Sequence, residues 1–380
     1  MRQVSIVGIG QAPVQKAYEQ SLSWLGAAVV RQAMADAGVE QVDALFAGNM
    51  VSDELQGQKH VAALIADEAG LYGIEALQVR AATATGAAAL RVAYLAIASG
   101  EADLAIAVGV EKMSSSEPTA ALAKALDAER EVPAGSTLIS KNAELMRLYY
   151  QQHNVPEDGL AHFSVNAHDN ARHNPYALFR RHVSVQDVLT SRIIVDPIRL
   201  LDCSPICDGA AAVVLAPRDQ ASAYTNQPVH ILSSSVATDR FRIGDRRDPL
   251  ALAAARLSAQ KAFRLANVSK DDVSLFEVHD AFSIMACLLL EAAGFAKPGQ
   301  GWRLAAEKEI GLRGRIPIAT MGGLKARGHP IGATALYQTC EIVLQLTARA
   351  GKSQVRDPKI GLLQSVGGAA STVLTHVFGA

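Results

Sequence analysis

One segment of the chain, residues 77–100, restricts the fold more than any other. An extended stretch, LQVRAA, turns at Thr83 into a helical run, ATGAAALRVAYLAIAS, that consists almost wholly of small and apolar residues. A helix that is apolar on every face is buried on every face. The run that follows, residues 102–110, is apolar nearly throughout, which is typical of a central parallel strand covered on both sides. The sequence therefore predicts an α/β protein with a buried helix.

Composition favours a large globular protein and argues against several binding functions. Of the 380 residues, 49% are hydrophobic and only 19% are charged, and the formal net charge is −1. Such a chain can bury a core large enough for two or three domain-sized units. Basic and acidic residues are interspersed, so neither nucleic acid nor an anionic membrane surface has electrostatic support as a partner.

The cysteines and the N-terminal run indicate a cytoplasmic protein. The four cysteines form no close CxxC pair and no zinc-site spacing, so we expect free thiols in a reducing compartment and no metal site. The apolar run at residues 4–8 begins too close to Met1 to leave room for a signal peptide. We also expect no membrane span, because no apolar run approaches the about 18 residues that this requires.

Weak internal echoes suggest that the chain is built from two similar parts. The run DGAAAVVLAP at residues 208–217 has a counterpart, VGGAASTVLTH, at residues 366–376. The opening strand at residues 4–8 has one at residues 229–233. Such patterns also recur by chance in alanine-rich chains, so they suggest a duplication without establishing it.

These echoes give a predicted domain organisation. An N-terminal half, residues 1–222, and a C-terminal half, residues 223–380, each alternate strands and helices, and each is expected to form a mostly parallel, helix-covered sheet. Between about residues 114 and 193 the composition becomes mixed and polar, and prolines interrupt the helical patterns. We expect this segment to be an inserted loop domain that covers the core.

Three places could carry chemistry, because each lies where a strand-like run gives way to a loop or helix, which is where open α/β sheets place their sites. The first is Thr83, ahead of the buried helix. Free backbone N–H groups and the helix dipole favour an anion or a developing oxyanion there. Threonine is also a common N-cap, so Thr83 or Thr85 could instead satisfy an orphan N–H group.

The other two places are histidines in short motifs. His279, in EVHDAF, could donate a hydrogen bond to a carbonyl or enolate oxygen while a neighbouring carboxylate fixes its tautomer; the alternative is a His-Asp capping turn. His329, in MGGLKARGHPIGAT, directly follows Gly328 in a glycine-rich loop that suits a general base of fixed position. Tyr337, just beyond this loop, is either an additional acid or a residue that packs on its helix.

Five motifs, in this order and spacing, give the chain a specific resemblance to a known family. They are the run YLAIASGEADLAIAVGVEKMS at residues 94–114, DGAAAVVL, VHDAF, GHPIGAT and the closing pair Gly367-Gly368. With them the chain resembles the thiolase superfamily over nearly its whole length. Within that superfamily it is similar to the branch of the sterol-carrier-protein-x thiolases and the archaeal acetoacetyl-CoA thiolases.

The resemblance implies a fold, a ligand and an assembly. It implies a duplicated, five-layer α-β-α-β-α thiolase fold with an inserted loop domain, and an acyl-CoA ligand that enters beneath that insertion. It also implies a homodimer or a dimer of dimers. The coenzyme A thioester would be the substrate, with no separate cofactor.

The resemblance also implies roles for individual residues. The histidine of the GHP motif, here His329, activates a cysteine nucleophile, and the histidine of the HDAF motif, here His279, forms an oxyanion hole with a water. A second oxyanion hole, made of backbone N–H groups, maps onto Thr83 and the turn around Gly367. The expected substrate contacts are Phe282, Gly328, Gly367 and Gly368.

The chain departs from the family at the nucleophile. The family motif runs approximately ACASGGAA, and the same frame here, residues 82–89, has Thr83 in place of the cysteine. The family's second catalytic thiol lies in an HDCF motif or in the C-terminal glycine loop, positions that correspond to Ala281 and approximately to Gln364. A threonine hydroxyl is several pKa units more basic than a thiol, so it would require concerted proton removal by His329.

Three functions are compatible with this pattern. The first is acetyl-CoA acetyltransferase-like Claisen or retro-Claisen chemistry, which makes or breaks a carbon–carbon bond next to a thioester. The second is retro-aldol cleavage, which needs an enolate but no acyl-enzyme; thiolase-like aldolases without the nucleophile work with a small OB-fold/zinc-ribbon partner protein. The third is a non-catalytic acyl-CoA-binding subunit of a larger complex.

Overall fold

The computed structural model of the protein describes residues 1–380. The strands are β1 (Val4–Gln11), β2 (Ala44–Gly48), β3 (Glu75–Val79), β4 (Ala105–Lys112), β5 (Ile193–Val195), β6 (Ile198–Arg199), β7 (Asp208–Pro217), β8 (Val229–Thr238), β9 (Leu275–Glu277), β10 (Ile360–Gly367) and β11 (Thr372–Gly379). The α-helices are α1 (Leu22–Ala37), α2 (Ser52–Leu55), α3 (Val61–Ala69), α4 (Thr85–Ser99), α5 (Thr119–Ala123), α6 (Leu138–Gln152), α7 (Ala161–Ala171), α8 (Val185–Thr190), α9 (Ala253–Ala266), α10 (Ser283–Ala292), α11 (Gly301–Ala306) and α12 (Ile331–Leu346).

The main sheet is continuous through both parts of the chain. Its nine strands follow the order β3-β2-β4-β7-β1-β8-β11-β10-β9. The antiparallel pairing of β1 with β8 joins the N-terminal strands to the C-terminal ones. An isolated parallel bridge between Phe276 and Ile318 extends the C-terminal part beyond β9, where the N-terminal part has β3.

The two parts repeat one topology. In the N-terminal part, β1 pairs antiparallel with β7, β7 pairs antiparallel with β4, and β4 pairs parallel with β2. In the C-terminal part, β8, β11, β10 and β9 pair in the same order and with the same directions. The helices correspond as well, since α1 and α9 follow the first strands and α4 and α12 precede β4 and β10. The echoes in the sequence therefore reflect a duplicated fold.

Three hydrophobic clusters fill the spaces between five layers. Outer helices α1 and α3 pack on one face of the N-terminal strands through residues such as Leu25 and Ile65. Helices α4 and α12 lie in the middle, where Leu90 and Leu336 share one cluster with strands of both parts. Helices α9 and α10 cover the opposite outer face, with Leu288 among their buried residues. The predicted five-layer α-β-α-β-α fold is confirmed.

The middle layer explains the uninterrupted apolar segment of the sequence. The window Ala82–Ser99 is long and apolar enough to cross a membrane by length and composition, so the expectation that no run approaches that length is wrong. Within the fold, however, 56% of this window is buried, and α4 packs against β2, β4 and α12. The segment is apolar on all faces because it has protein on both sides.

The expectation of mostly parallel sheets is wrong. Only three of the eight strand pairs in the main sheet are parallel, namely β2 with β3, β2 with β4 and β9 with β10, whereas the other five are antiparallel. An uninterrupted apolar run reports burial on both faces and not strand direction. Helices α1 and α12 pack against β7, and helices α9 and α4 pack against β11, yet both strands run antiparallel to their neighbours.

The segment between β4 and β7 is the inserted part of the chain. It contains α5 to α8 and the two-stranded β5–β6 sheet. Its helices contribute Met146 and Phe163 to the cluster beneath α10, so the insertion is packed on the C-terminal part. The domain boundaries given above, at residues 114, 193 and 222, remain predictions.

Candidate active site

A cavity of about 110 Å³ lies where the two parts of the fold and the insertion meet. Its wall is mostly apolar, with Leu138 and Ile139 from the insertion and Met285 from α10. Several residues expected in the site from the sequence line this one cavity: Thr83, His279, Phe282, His329 and Gly368.

Thr83 lies just before α4, and hydrogen bonds fix its hydroxyl. The preceding residue, Ala82, has a positive φ of 48°, which residues with a Cβ atom rarely adopt. Thr83 is 5% exposed; its hydroxyl donates to the carbonyl of Val366 over 2.6 Å and accepts from the N–H of Gly368 over 3.1 Å. The hydroxyl proton is thus directed at a backbone carbonyl and not at a histidine. Gly368 belongs to the turn around Gly367 that was expected to contribute to an oxyanion hole, and its N–H is already bound.

The surroundings of His329 determine which ring nitrogen carries the proton. Nδ1 lies 2.7 Å from the hydroxyl oxygen of Thr334, and that hydroxyl donates to the carbonyl of Pro330 over 3.1 Å. A hydroxyl has a single proton, so it must accept from Nδ1–H. Nε2 is then unprotonated, as a general base requires. Burial, with His279 and Arg327 nearby, holds the pKa of His329 well below its usual value, so the ring is neutral.

A buried carboxylate holds the loop that carries His329. Glu111 lies near the end of β4 and is fully buried. It accepts hydrogen bonds of 2.9 to 3.1 Å from the N–H groups of Met50, Val51 and Gly332 and from the side-chain amide of Asn49. Burial raises the pKa of Glu111 to about 7, and the hydrogen bonds oppose that rise. Because Gly332 is in the first turn of α12, the carboxylate fixes the position at which this helix begins.

His279 faces His329 at the cavity. It follows β9, and the two ring centroids lie 5.2 Å apart with 90° between the ring planes. His279 is 3% exposed, and its Nδ1 has no hydrogen-bond partner. Burial first, and then the charge of Lys325, lower the pKa of His279 to about 3. Both rings are therefore neutral imidazoles, each with one N–H and one unprotonated nitrogen.

Lys325 joins the two histidine loops. It lies in a short π-helix, Gly323–Arg327, is 1% exposed, and donates to the carbonyl of Asp280 over 2.8 Å. The Asp280 carboxylate accepts from the N–H of Leu324 over 2.7 Å and lies 3.8 Å from the Lys325 ammonium. The prediction that a neighbouring carboxylate fixes the tautomer of His279 is wrong for Asp280, because the carboxylate of Asp280 is bound to the other loop.

Gly328 and Gly367 support the site without lining the cavity. Gly328 has a φ of 116°, and a Cβ atom there would lie 2.6 Å from the side chain of Val14. At Gly367 a Cβ atom would lie 2.7 Å from the carbonyl oxygen of Ala81. The missing side chains allow close approach of the backbone on either side of the site. The direct contact of these two glycines with substrate remains a prediction.

Comparison with known families agrees with the fold and the motifs. The family model described as "Thiolase, N-terminal domain" matches residues 4–219, and the one described as "Thiolase C-terminal domain-like" matches residues 235–380. The chain belongs to the thiolase family. The two matched ranges together span nearly the whole chain, one for each part of the duplicated fold.

Relatives within the thiolase family include proteins of two kinds. An acetyl-CoA acetyltransferase of Methanothermobacter thermautotrophicus is 42% identical over 381 residues, and the match covers 100% of both chains. Sterol carrier protein 2 of Homo sapiens is 30% identical over 400 residues, which cover 99% of this chain and 72% of that protein. A solved Ltp2-ChsH2(DUF35) aldolase has a TM-score of 0.87 and 22% identity, covering 100% of this chain and 98% of the other, and therefore shares the fold.

Three polar residues of this thiolase-family cavity, Cys203, Ser204 and Asn142, were not assigned a catalytic role from the sequence. Cys203 lies ahead of β7 and Asn142 lies in α6, and both line the cavity. Thr83, His279 and His329 were recognisable because each occupies a motif at the end of a strand-like run. Cys203 and Asn142 belong to the insertion, and no local pattern specifies how an insertion packs onto a core.

Two further positions lie outside the cavity. The hydroxyl of Tyr337 donates to the carbonyl of Ala12 over 2.6 Å and accepts from the N–H of Ala210 over 3.0 Å, so this residue packs in the middle layer and is not an additional acid. Gln364, the approximate counterpart of the second family thiol, donates to the carbonyl of Ala255 over 3.0 Å. The side chain of Gln364 faces α9, so residue 364 contributes no atom to the cavity wall.

Proposed function

We propose that this chain acts on acyl-CoA thioesters and makes or breaks the carbon–carbon bond next to the thioester, as the names of its acetyl-CoA acetyltransferase relatives suggest. One observation supports this more than any other: two neutral histidines, His279 and His329, meet at 5.2 Å in a mostly apolar cavity. The coenzyme A thioester is the substrate, and the proposed chemistry uses side chains and backbone groups alone.

His279 and His329 have complementary tasks in forming an enolate. The N–H of the neutral imidazole at His279 stabilises the thioester oxygen as negative charge develops there. Nε2 of His329 accepts the proton that the reaction releases. The apolar wall strengthens both interactions, because little water competes with them. Claisen condensation, its reverse and aldol cleavage share the enolate that this arrangement would stabilise.

The hydrogen bonds of Thr83 favour a second candidate function, a retro-aldol lyase. The hydroxyl donates to Val366 over 2.6 Å, so no base is positioned to activate it for attack on a thioester. Retro-aldol cleavage of a 3-hydroxyacyl-CoA requires the enolate site but no acyl-enzyme. The structural neighbour is named an Ltp2-ChsH2(DUF35) aldolase. We propose that, in this lyase function, the chain works with a small OB-fold/zinc-ribbon partner protein.

We also propose that two copies of the chain form a homodimer. Strand β3 is at one edge of the sheet, and Leu77 in this strand is 52% exposed. An unpaired edge with an exposed apolar residue is a template for pairing with another strand. Light scattering coupled to gel filtration is expected to give twice the chain mass, and a monomer at micromolar concentration would contradict the proposal.

A product assay separates the candidate functions. The protein is incubated with acetoacetyl-CoA plus coenzyme A, and separately with a 3-hydroxyacyl-CoA. Formation of acetyl-CoA from the first supports the acetyltransferase-like function, and release of a carbonyl product from the second supports the lyase. Acyl-CoA binding without either product until another subunit is added supports the third alternative, the non-catalytic subunit.

The variant His329→Ala provides the residue-level test of the proposed function. Loss of the base is expected to abolish cleavage while acyl-CoA affinity, measured by calorimetry, stays nearly unchanged. Unchanged turnover in this variant would refute the role of His329.

A further inference from the structure

Cys203 places a thiol in the wall of the cavity. It is partly accessible, whereas the other three cysteines are buried. An antiparallel bridge joins Cys203 to Phe282, and the N–H of Ser204 donates to the carbonyl of Ala281 over 2.8 Å. The backbone at Cys203 is thus fixed to the segment that directly follows His279.

Two other side chains indicate that this cavity accommodates polar atoms of a ligand. Asn142 is 3% exposed; its amide nitrogen donates to the carbonyl of Leu138 over 2.9 Å, and its amide oxygen has no partner. His279 is equally buried, and its Nδ1 also lacks a partner. Buried polar atoms are nearly always hydrogen-bonded. Both residues line the same cavity as Cys203, and a substrate hydroxyl would satisfy the free amide oxygen.

We propose that the Cys203 thiol is the acid that protonates the α-carbon of the acyl-CoA enolate. The assignment rests on the proposed function. With Cys203 in this role the cavity has a catalytic thiol, although Thr83 and Ala281, which stand at the positions of the family's cysteines, have none. Because the backbone next to Cys203 is bonded to Ala281, Cys203 lines the cavity beside the position at which the family's HDCF motif has its cysteine. Its thiol donates a long hydrogen bond to the carbonyl of Arg199 over 3.5 Å.

The proposed step balances for retro-aldol cleavage of a 3-hydroxyacyl-CoA. Nε2 of His329 removes the hydroxyl proton, the hydroxyl oxygen becomes a carbonyl, and the bond between the α- and β-carbons breaks. The electron pair of that bond remains on the thioester fragment as an enolate, whose oxygen is held by His279. The S–H bond of Cys203 then breaks, with the proton going to the α-carbon and the electron pair remaining on sulfur. The thiolate regains a proton from protonated His329, so no oxidant or reductant is needed.

The charges around Cys203 suit an acid better than a nucleophile. Burial first, and then Asp202, raise the pKa of the thiol to about 12, and Lys325 opposes this rise. The Asp202 carboxylate is held by the hydroxyl of Ser283 over 2.7 Å and by the N–H of Arg199 over 3.1 Å. At neutral pH the sulfur therefore keeps its proton until a strong base such as an enolate carbon removes it.

Hydrogen exchange at the α-carbon tests the assignment, because the deuteron that enters the α-carbon must come from the acid that protonates the enolate. Acetyl-CoA is incubated in D₂O with the wild type, with Cys203→Ala and with Cys340→Ser, and the incorporated deuterium is counted by mass spectrometry. Cys340 is fully buried in the middle layer and does not line the cavity, so it controls for the loss of a thiol elsewhere.

The two variants are expected to behave differently. Exchange falls by about a hundredfold or more in Cys203→Ala, which loses the acid. It changes by less than about twofold in Cys340→Ser, which alters only the core. Acyl-CoA affinity and the circular dichroism spectrum are expected to remain those of the wild type in both.

The possible results distinguish this assignment from the proposed function. Undiminished exchange in Cys203→Ala, with exchange by the wild type, overturns the role of Cys203 alone. A wild type that neither exchanges nor cleaves a thioester substrate overturns both. If Cys203→Ala does not fold, modification of wild-type Cys203 by methyl methanethiosulfonate is followed instead. Saturating acyl-CoA is expected to block that modification, and an unchanged rate overturns the assignment.

Discussion

At the scale of single residues, the hydroxyl of Thr83 determines which chemistry the cavity supports. Its two hydrogen bonds connect the segment ahead of α4 to Val366 and Gly368 in the other half of the fold. A thiol here would lie near the N-terminus of a 15-residue helix, an environment that stabilises thiolates. Neither His279 nor His329 depends on this side chain for its position. A substitution at Thr83 should therefore change acyl transfer while the two histidines continue to support enolate formation.

The variant Thr83→Cys is expected to acquire an acyl-enzyme. A thiolate is accessible at neutral pH in this environment, whereas the threonine hydroxyl is not. Intact-protein mass spectrometry after incubation with acetyl-CoA is expected to show one acetyl group on the variant and none on the wild type. An acetylated wild type would show instead that Thr83 is itself a nucleophile.

The hydroxyl of Thr334 is expected to matter through the tautomer of His329. In Thr334→Val the partner of Nδ1 is lost, so the proton is no longer held away from Nε2. The rate of cleavage is expected to fall by about tenfold or more without a change in acyl-CoA affinity, and Thr334→Ser should restore it. Thr339→Val is the control, because this hydroxyl binds only the carbonyl of Ala335 in the same helix. Equal losses in both variants would mean that the effect is structural.

The residues that the sequence predicted and those that it missed differ in how they are placed. Thr83, His279 and His329 were predicted because a strand-like run ends just before each motif. Cys203 and Asn142 reach the cavity only because the insertion docks on the core, a long-range contact that leaves no local periodicity. The hydrogen bond between Asp280 and Leu324 likewise connects two distant loops, so the expectation that a neighbouring carboxylate binds His279 failed for Asp280.

At the scale of elements, the start of α12 is fixed by β4 and by the loop after β2. The Glu111 carboxylate binds Gly332 and the backbone of residues 50 and 51, and so connects three elements at one point. His329 precedes this anchored turn. The sequence predicted β4 and the helix after the histidine loop, because their apolar patterns are long and regular. It did not predict strand direction, because burial between helices produces the same pattern in parallel and antiparallel strands.

The variant Glu111→Gln is expected to loosen this junction. An amide presents N–H groups where the carboxylate accepts four hydrogen bonds, so at least one buried donor loses its acceptor. The free energy of unfolding, measured in urea, should decrease by about 2 kcal/mol or more, and the rate of cleavage should fall with it. Glu101→Gln, on the surface, should change neither. A variant as stable as the wild type would show that the carboxylate is dispensable.

At the scale of the whole molecule, the duplication brings the site together. Helices α4 and α12 are equivalent members of the two parts, both lie in the middle layer, and Thr83 and His329 precede them. The two residues meet at one cavity because the equivalent helices begin at the same junction between the two parts of the fold. The weakly repeated motifs of the sequence indicated the duplication. That Thr83 and His329 line one cavity, however, follows only from the way in which the two halves pack.

A buried histidine in β11, His376, also makes the stability of the fold depend on pH. His376 is fully buried, and burial first, then Arg91, lower its pKa from 6.5 to about 3. Because the folded pKa is the lower one, the unfolded chain binds more protons below pH 6.5, and this residue costs stability as the pH falls towards about 3. The difference in the free energy of unfolding between His376→Leu and the wild type should favour the variant by about 2 kcal/mol more at pH 5 than at pH 8. Urea unfolding at both pH values measures this difference, and an equal effect at both would contradict it.

We infer that His279 and His329 form an enolate site that works without an acyl-enzyme. The most direct test of this inference is α-hydrogen exchange of acetyl-CoA in D₂O by the wild type, His279→Ala and His329→Ala, with the intact mass of each protein recorded in parallel. We expect exchange by the wild type without an acetyl adduct, and a loss of about a hundredfold or more in each variant at unchanged acyl-CoA affinity. Absence of exchange in the wild type, or exchange at the wild-type rate in either variant, would contradict the inference.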